Sequence, residues 1–254
     1  MRLPALLPAL ALVITLPLSN PPVLPAQATA AAVPPAEDPR IRAIGHAASA
    51  GRLERDIRVL AGFGTRHTLS DTVSAARGIG AARRWIKAEF DRISAACGGC
   101  LEVRYHRSMV NAGPGSRIPR DVEIVNVIAI QRGTDAPNRY VIMAGDIDSR
   151  ATDVLDGTSD APGANDNASG MAGVLEAARI LSQYRFGKTI MYAGLSGEEQ
   201  GLFGGRELAR TATEEGWAIE AVLNNDSIGN IEGIDGTIDN RTFRIFSEPT
   251  PLTA

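Results

Sequence analysis

Residues 189–201 read TIMYAGLSGEEQG: a short apolar run ends in two adjacent carboxylates, Glu198 and Glu199, flanked by Gly197 and Gly201. An apolar run of this length bounded by glycines reads as a buried strand, and the segment after it, 199–212, reads as a helix. The same arrangement recurs on both sides. YVIMAG (140–145) runs into Asp146, and the strand-like IEAVLNND (219–226) ends in Asp226. LEVRYH (101–106) and VEIVNVIAI (122–130) add two more strand-like runs. Helices are expected over 51–61, about 74–95 and 167–183. In the second, Ile79, Ala82, Ile86, Phe90 and Ile93 recur at three- and four-residue steps and form one stripe. Strands alternating with helices predict an α/β fold with a mixed, largely parallel central sheet flanked by helices.

That architecture locates the chemistry, because ligands of α/β sheets bind beyond the carboxyl ends of the strands. Three apolar strands deliver acids at one end: Asp146, the Glu198–Glu199 pair and Asp226. Asp166, in PGANDNASG (162–170), lies at the mouth of the helix that follows the first of them. Any one of these acids is explained by the partial positive charge of a helix start. Their convergence is not, since gathering them without a cation costs several kcal/mol, roughly, in desolvation and repulsion. A bound divalent metal removes that cost. A structural Ca²⁺ in an acidic pocket is a more distant reading of the same cluster.

Other signals are weaker. GLSGE (194–198) misses the G-x-S-x-G nucleophile elbow at its last position, and no His follows His106 to complete a triad. RGIGAARRW (77–85) holds two of the dinucleotide-fingerprint glycines with no convincing strand ahead of it. The sequons NAS (167–169) and NRT (240–242) are patterns that arise by chance. Cys97 and Cys100, in CGGC, follow a helix rather than open one, so no helix dipole activates them, and an exported chain would pair them as a structural disulfide. With two cysteines, a Cys-rich zinc cage is excluded. His67 and His106 read as surface or structural histidines. A net charge of −3 over 254 residues, with no Lys/Arg block, argues against nucleic acid as a partner.

The N-terminus reads as an export signal: Arg2, the proline-broken apolar stretch LPALLPALALVITLPL (3–18), then Ala26-Gln27-Ala28 as a cleavage site. A membrane anchor would need ~20 uninterrupted apolar residues. The expected organisation is a signal peptide over 1–28, a flexible leader over 29–50 and a catalytic-type domain over 51–254. No membrane span is expected after cleavage, and the location is secreted or periplasmic.

Four stretches, YVIMAGDIDSR (140–150), DAPGANDNASGMAGVLEAARIL (160–181), TIMYAGLSGEEQGLFGGRELA (189–209) and VLNNDSIGN (222–230), follow the order and spacing of the M28 family of zinc-dependent exopeptidases. The chain resembles that family from about residue 51 onward. The resemblance implies an aminopeptidase with a zinc-exopeptidase-like sheet, two Zn²⁺ ions and a peptide substrate. It implies Asp166 as the carboxylate bridging the metals, Glu198 as general base, Glu199 as ligand of the first metal and Asp226 as ligand of the second. Asp148 matches the acid of the family's His-x-Asp pattern, and with Glu198 it makes up the catalytic candidates that the resemblance implies.

Two departures qualify the match. Asp146 stands where the family usually has a His, so the second metal would be held by Asp146, Asp166 and Asp226. Such all-oxygen donors shift preference toward harder ions such as Mn²⁺ or Mg²⁺. Asp148 cannot orient a carboxylate as it would an imidazole, so its expected work is bonding nearby N–H groups. The family's first metal also takes a final His from well beyond NND, and here no His follows His106. FSEPTPLTA (246–254) shows no finished element, so the chain reads as a C-terminally incomplete version of the domain. The alternative to an active exopeptidase is therefore a catalytically defective relative that binds peptide or metal without turnover.

Overall fold

Five apolar or alternating runs become the five strands of one sheet in the computed structural model, which describes residues 38–247. They are β1 (Leu101–Val110), β2 (Val122–Gln131), β3 (Ala136–Asp146), β4 (Lys188–Leu195) and β5 (Ala218–Asn225), in the order β1-β2-β4-β3-β5. The sheet is mixed: β1–β2 and β2–β4 pair antiparallel, while β3–β4 and β3–β5 pair parallel. The parallel half carries the acids. Its register sets Asp146 opposite Leu195 and Gly145 opposite Asn225, so three strands stop at one edge.

Helices cover both faces. On one lie α2 (Ala50–Gly62), α3 (Gly78–Ala96) and α4 (Gly170–Leu181), and on the other lies α5 (Phe203–Glu214). β2 shows why. Val127 and Ala129 point into a core with Ile86, Phe90, Met171 and Leu175, whereas Ile128 and Ile130 point into a second with Tyr140, Met191 and Leu208. Side chains alternate across a strand, so a run apolar at every position must be buried on both sides. The expected stripe of α3 is fully or nearly fully buried.

The helix expected over 199–212 begins only at Phe203. Residues 198–202 form a turn instead, with Gly197 at φ 77°, Gly201 at φ 138° and Leu202 at φ 61°. The N–H groups of residues 197–199 bond elsewhere, as described below, so they are not the open start of a helix. The helix expected from about 74 likewise starts at Gly78, and the one expected from 167 becomes regular at Gly170 after an irregular turn at Ala164–Ser169.

The expected signal peptide, 1–28, and residues 29–37 of the expected leader lie outside the described residues. Pro39–His46 is helical (α1), and the N–H of Ser49 donates to Glu176 at 2.7 Å, which ties the entry of α2 to α4. Cys97 and Cys100 form a disulfide between α3 and β1, in line with the structural role expected for them. Among the described residues, no helix is long and apolar enough to cross a membrane.

Candidate active site

The strand ends at the parallel edge carry Asp146 and, one residue beyond β5, Asp226; the turn after β4 carries Glu198 and Glu199; the turn before α4 carries Asp166. All six candidate acids, Asp148 included, lie within one electrostatic neighbourhood. Burial pushes the Asp146 carboxyl up to about 8, reinforced by the charges of Asp148 and Glu198 and opposed by a hydrogen bond from Asn167. Burial also raises Glu198 to about 7, with Asp148, Glu199, Asp226 and Asp166 adding to the rise. Asp166 and Glu199 are raised by burial too, each opposed by the positive charge of Arg150.

Asp148 has a different place. It is 1 % exposed, and its carboxylate accepts from the backbone N–H groups of Gly197 (2.9 Å), Glu198 (3.2 Å) and Glu199 (3.1 Å), and from the Thr68 hydroxyl (3.1 Å). Burial pushes this carboxyl upward, and the N–H donors oppose the rise because they favour the charged form. Through those bonds it holds the turn that carries Glu198 and Glu199.

Three further polar residues complete the frame. Arg66, 1 % exposed, donates to the carbonyls of Ile147 (2.8 Å), Leu60 (3.1 Å), Pro162 (2.6 Å) and Gly163 (2.9 Å), fixing the chain on both sides of the acids. Asn167 donates to Asp146 (3.2 Å) and to the Asn225 carbonyl (2.8 Å), and accepts from the N–H of Gly170 (3.0 Å). Asn126 accepts from Ser196 N–H (2.9 Å) and donates to the Gly204 carbonyl (2.9 Å), bracketing the turn. The helix α4 reaches this edge because residue 170 is glycine: a Cβ there would collide with the Asn225 carbonyl and the Asn167 side chain. With its amide bonded and 1 % exposed, Asn167 is no glycosylation acceptor.

The donor set suits a divalent cation in its chemistry. Five carboxylates share the edge, and those whose titration is displaced are displaced upward, by burial and by one another. The side chains do not close around a point, however: among the described residues, no three His, Cys, Asp or Glu are grouped closely enough to hold one ion. Glu199 instead pairs with Arg150 at 2.5 Å, the carboxylate side being 12 % and the arginine 40 % exposed. No imidazole joins the acids. His67 is buried, its Nδ1 accepting from Leu69 N–H and its Nε2 lying 3.0 Å from the Val154 carbonyl. His106 bonds Thr211 (2.9 Å) and Asn126 (3.2 Å).

Residues 126–241, which hold all six acids, match the model described as Peptidase family M28. A probable zinc metalloprotease of Leptosphaeria maculans is 45% identical over 219 residues, covering 86% of this chain and 50% of that protein. One from Pyrenophora tritici-repentis is 44% identical over 223 residues, covering 87% and 46%. The chain thus spans about half the length of the curated relatives it matches. The fold is shared with the LapA aminopeptidase of Legionella pneumophila (TM-score 0.57, 19% identity, 74% of this chain and 45% of that one). It is also shared with a Zn-dependent exopeptidase from Parabacteroides distasonis (TM-score 0.56, 19% identity, 71% and 62%). A glutaminyl cyclase of Porphyromonas gingivalis has it as well (TM-score 0.53, 22% identity, 72% and 60%). On the family match and on these relatives, the chain belongs to peptidase family M28.

Proposed function

We propose that this chain is the acid-bearing part of an exported metal-dependent exopeptidase, an aminopeptidase, that hydrolyses the first peptide bond of peptide substrates. The observation that carries the reading is the register of β3, β4 and β5, which ends three strands at one edge with a carboxylate at or just past each end. The metalloprotease relatives favour hydrolysis over the cyclase chemistry found on the same fold. Export rests on Arg2, the apolar stretch and Ala26-Gln27-Ala28, and N-terminal sequencing of the recovered protein tests it.

In this reading Asp146, Asp166, Asp226 and Glu199 hold Zn²⁺, as a pair of ions, with Mn²⁺ or Mg²⁺ as competitors on the aspartates. Bound metal supplies polarisation of the scissile carbonyl and a more acidic water. Glu198 takes the proton from the attacking water and returns it to the leaving amine. Asp148 keeps Glu198 and Glu199 on one turn through their own N–H groups. Arg150 must release Glu199 for it to serve as ligand, and an ion pair this exposed on one side is worth about 1 kcal/mol or less.

The test is metal content together with hydrolysis of aminoacyl-p-nitroanilides. Glu198→Gln is expected to lower turnover by roughly 10²–10⁴-fold with metal content unchanged; full turnover in that variant would sink the general-base role. A second reading, binding without turnover, is favoured by the absence of an imidazole among the described acids. It predicts metal uptake by the unaltered chain with no hydrolysis.

A further inference from the structure

Away from the acid edge, a cleft of about 580 Å³ lies between the start of α3, the loop through Thr68, the strands β1 and β2, and the connection between them. Four arginines line it: Arg83, Arg84, Arg107 and Arg120. Three of these are committed. Arg84 donates to the carbonyls of Thr72 and Val73 and Arg120 to that of Leu69, while Arg107 pairs with Glu123 at 2.6 Å. Arg83 is not. It is 6 % exposed, yet its Nε and Nη2 have no hydrogen-bond partner, and it forms no ion pair among the described residues.

A guanidinium buried this far is expensive to leave unmatched, since each unsatisfied polar group costs about 1–3 kcal/mol and a charged one more. The acids nearby cannot match it. Glu123 is taken by Arg107, Asp121 accepts from the N–H of Ala112 at 2.8 Å, and Asp148 is used by three backbone N–H groups and Thr68. Burial lowers the Arg83 guanidinium only to about 10, so it is charged at neutral pH. A charged guanidinium with unpartnered N–H groups, on the wall of an arginine-rich cleft, suits the oxygens of a carboxylate or phosphate.

We infer that the cleft is an oxyanion-binding site in which the Arg83 guanidinium engages a carboxylate or phosphate group. The site is independent of the metal reading. It shares one wall with the acid edge, because Thr68 lines the cleft and bonds Asp148.

The experiment is thermal unfolding of the full 254-residue chain, chelator-treated, with sulfate, inorganic phosphate, N-acetyl-alanine or N-acetyl-alaninamide, each against NaCl at equal ionic strength. Binding raises Tm along a saturating curve, by about 5–10 °C at a hundredfold excess over Kd. Exclusion of sulfate from the surface raises Tm without saturating, which separates the two effects. Saturable stabilisation by sulfate and phosphate alone assigns an inorganic or phosphoryl ligand, and by N-acetyl-alanine but not its amide, a peptide carboxylate. Arg83→Met is expected to fold, because it removes a buried unmatched charge, and to abolish the saturable part; Arg83→Lys, without the planar pair of donors, is expected to weaken it at least tenfold. No saturable shift in the unaltered chain, or an undiminished one in Arg83→Met, overturns the inference. The first of these outcomes needs no variant.

Discussion

Replacing Asp148 with alanine tests the frame of the site without any assumption about metal or turnover. The side chain is buried and accepts three backbone N–H groups, from Gly197, Glu198 and Glu199, besides the Thr68 hydroxyl. Alanine strands the three N–H groups at about 1–3 kcal/mol each. The hydroxyl can rotate to another acceptor, and removal of a buried carboxylate relieves some desolvation. A net loss of about 3–4 kcal/mol follows from those opposing contributions, a large part of the ~5–15 kcal/mol that holds a typical domain. Urea unfolding should show a midpoint lowered by about 1–2 M at an unchanged slope. Hydrogen exchange at 197–199 should accelerate more than exchange in β2. Asp148→Asn keeps one acceptor oxygen but turns an amide N–H₂ toward donors, so it should lose about half as much or more. A loss below about 1 kcal/mol, with protection at 197–199 intact, would refute the assignment of Asp148 as the residue that holds this turn.

Two other outcomes follow from charges inside the fold. Asp146 and Glu198 have folded-state values raised from 3.8 to about 8 and from 4.5 to about 7. A raised acid is favoured in its protonated form by folding, so its contribution is fully present below the unfolded value and fades as pH climbs through the folded one. The chelator-treated chain should therefore lose stability steadily between about pH 4 and pH 8, measured by urea midpoints, and added Zn²⁺ should flatten that slope; a midpoint that rises over the range would contradict the placement of these acids. Under the opposite face of α4, Asp56 is fully buried and pairs with Arg179 at 2.6 Å, while Arg179 also meets Glu89 at 3.0 Å. Asp56→Ala should cost about 2–3 kcal/mol in urea unfolding, toward the low end for a buried pair because Arg179 keeps Glu89, whereas Glu54→Ala in the exposed Glu54–Arg58 pair should cost almost nothing.

What could be seen in the sequence was what periodicity records. Apolar runs such as TIMYAG and YVIMAG are buried on both faces, so they announce strands, and the acids at their ends announce the functional edge. The frame around those acids has no period. Arg66 bonds carbonyls of Leu60, Ile147, Pro162 and Gly163, a set drawn from three separate segments, and nothing in GTRHT marks it for that work. Asn126 lies within an apolar strand run and works on residues 196 and 204. The helix misplaced onto 199–202 failed for the same reason. Local propensity cannot know that a carboxylate fifty residues upstream has taken the N–H groups a helix start would leave open. Asp148 was legible only through its departure from the family pattern: with an aspartate at 146 in place of imidazole, backbone N–H groups were the partners left to it.

The acids at this edge are not all held in the same way. Asp146 and the Glu198–Glu199 turn extend from β3 and β4, the buried centre of the sheet, and the turn is held by Asp148 and Asn126. Asp226 extends from β5, which is exposed from Ala218 to Asn224 and gains its place from pairing with β3 and from Asn167 bonding the Asn225 carbonyl. Asp226 is therefore placed by the pairing of its strand rather than by a buried core. Cation affinity depends on donors already in place, because each one that must be ordered on binding subtracts from it. Asn167 therefore does more than brace Asp146: by bonding Asp146, Asn225 and Gly170 at once, it couples β3, β5 and the start of α4. The spacing of Asp146 and Asp226 thus depends on that amide as well as on the pairing of β3 with β5.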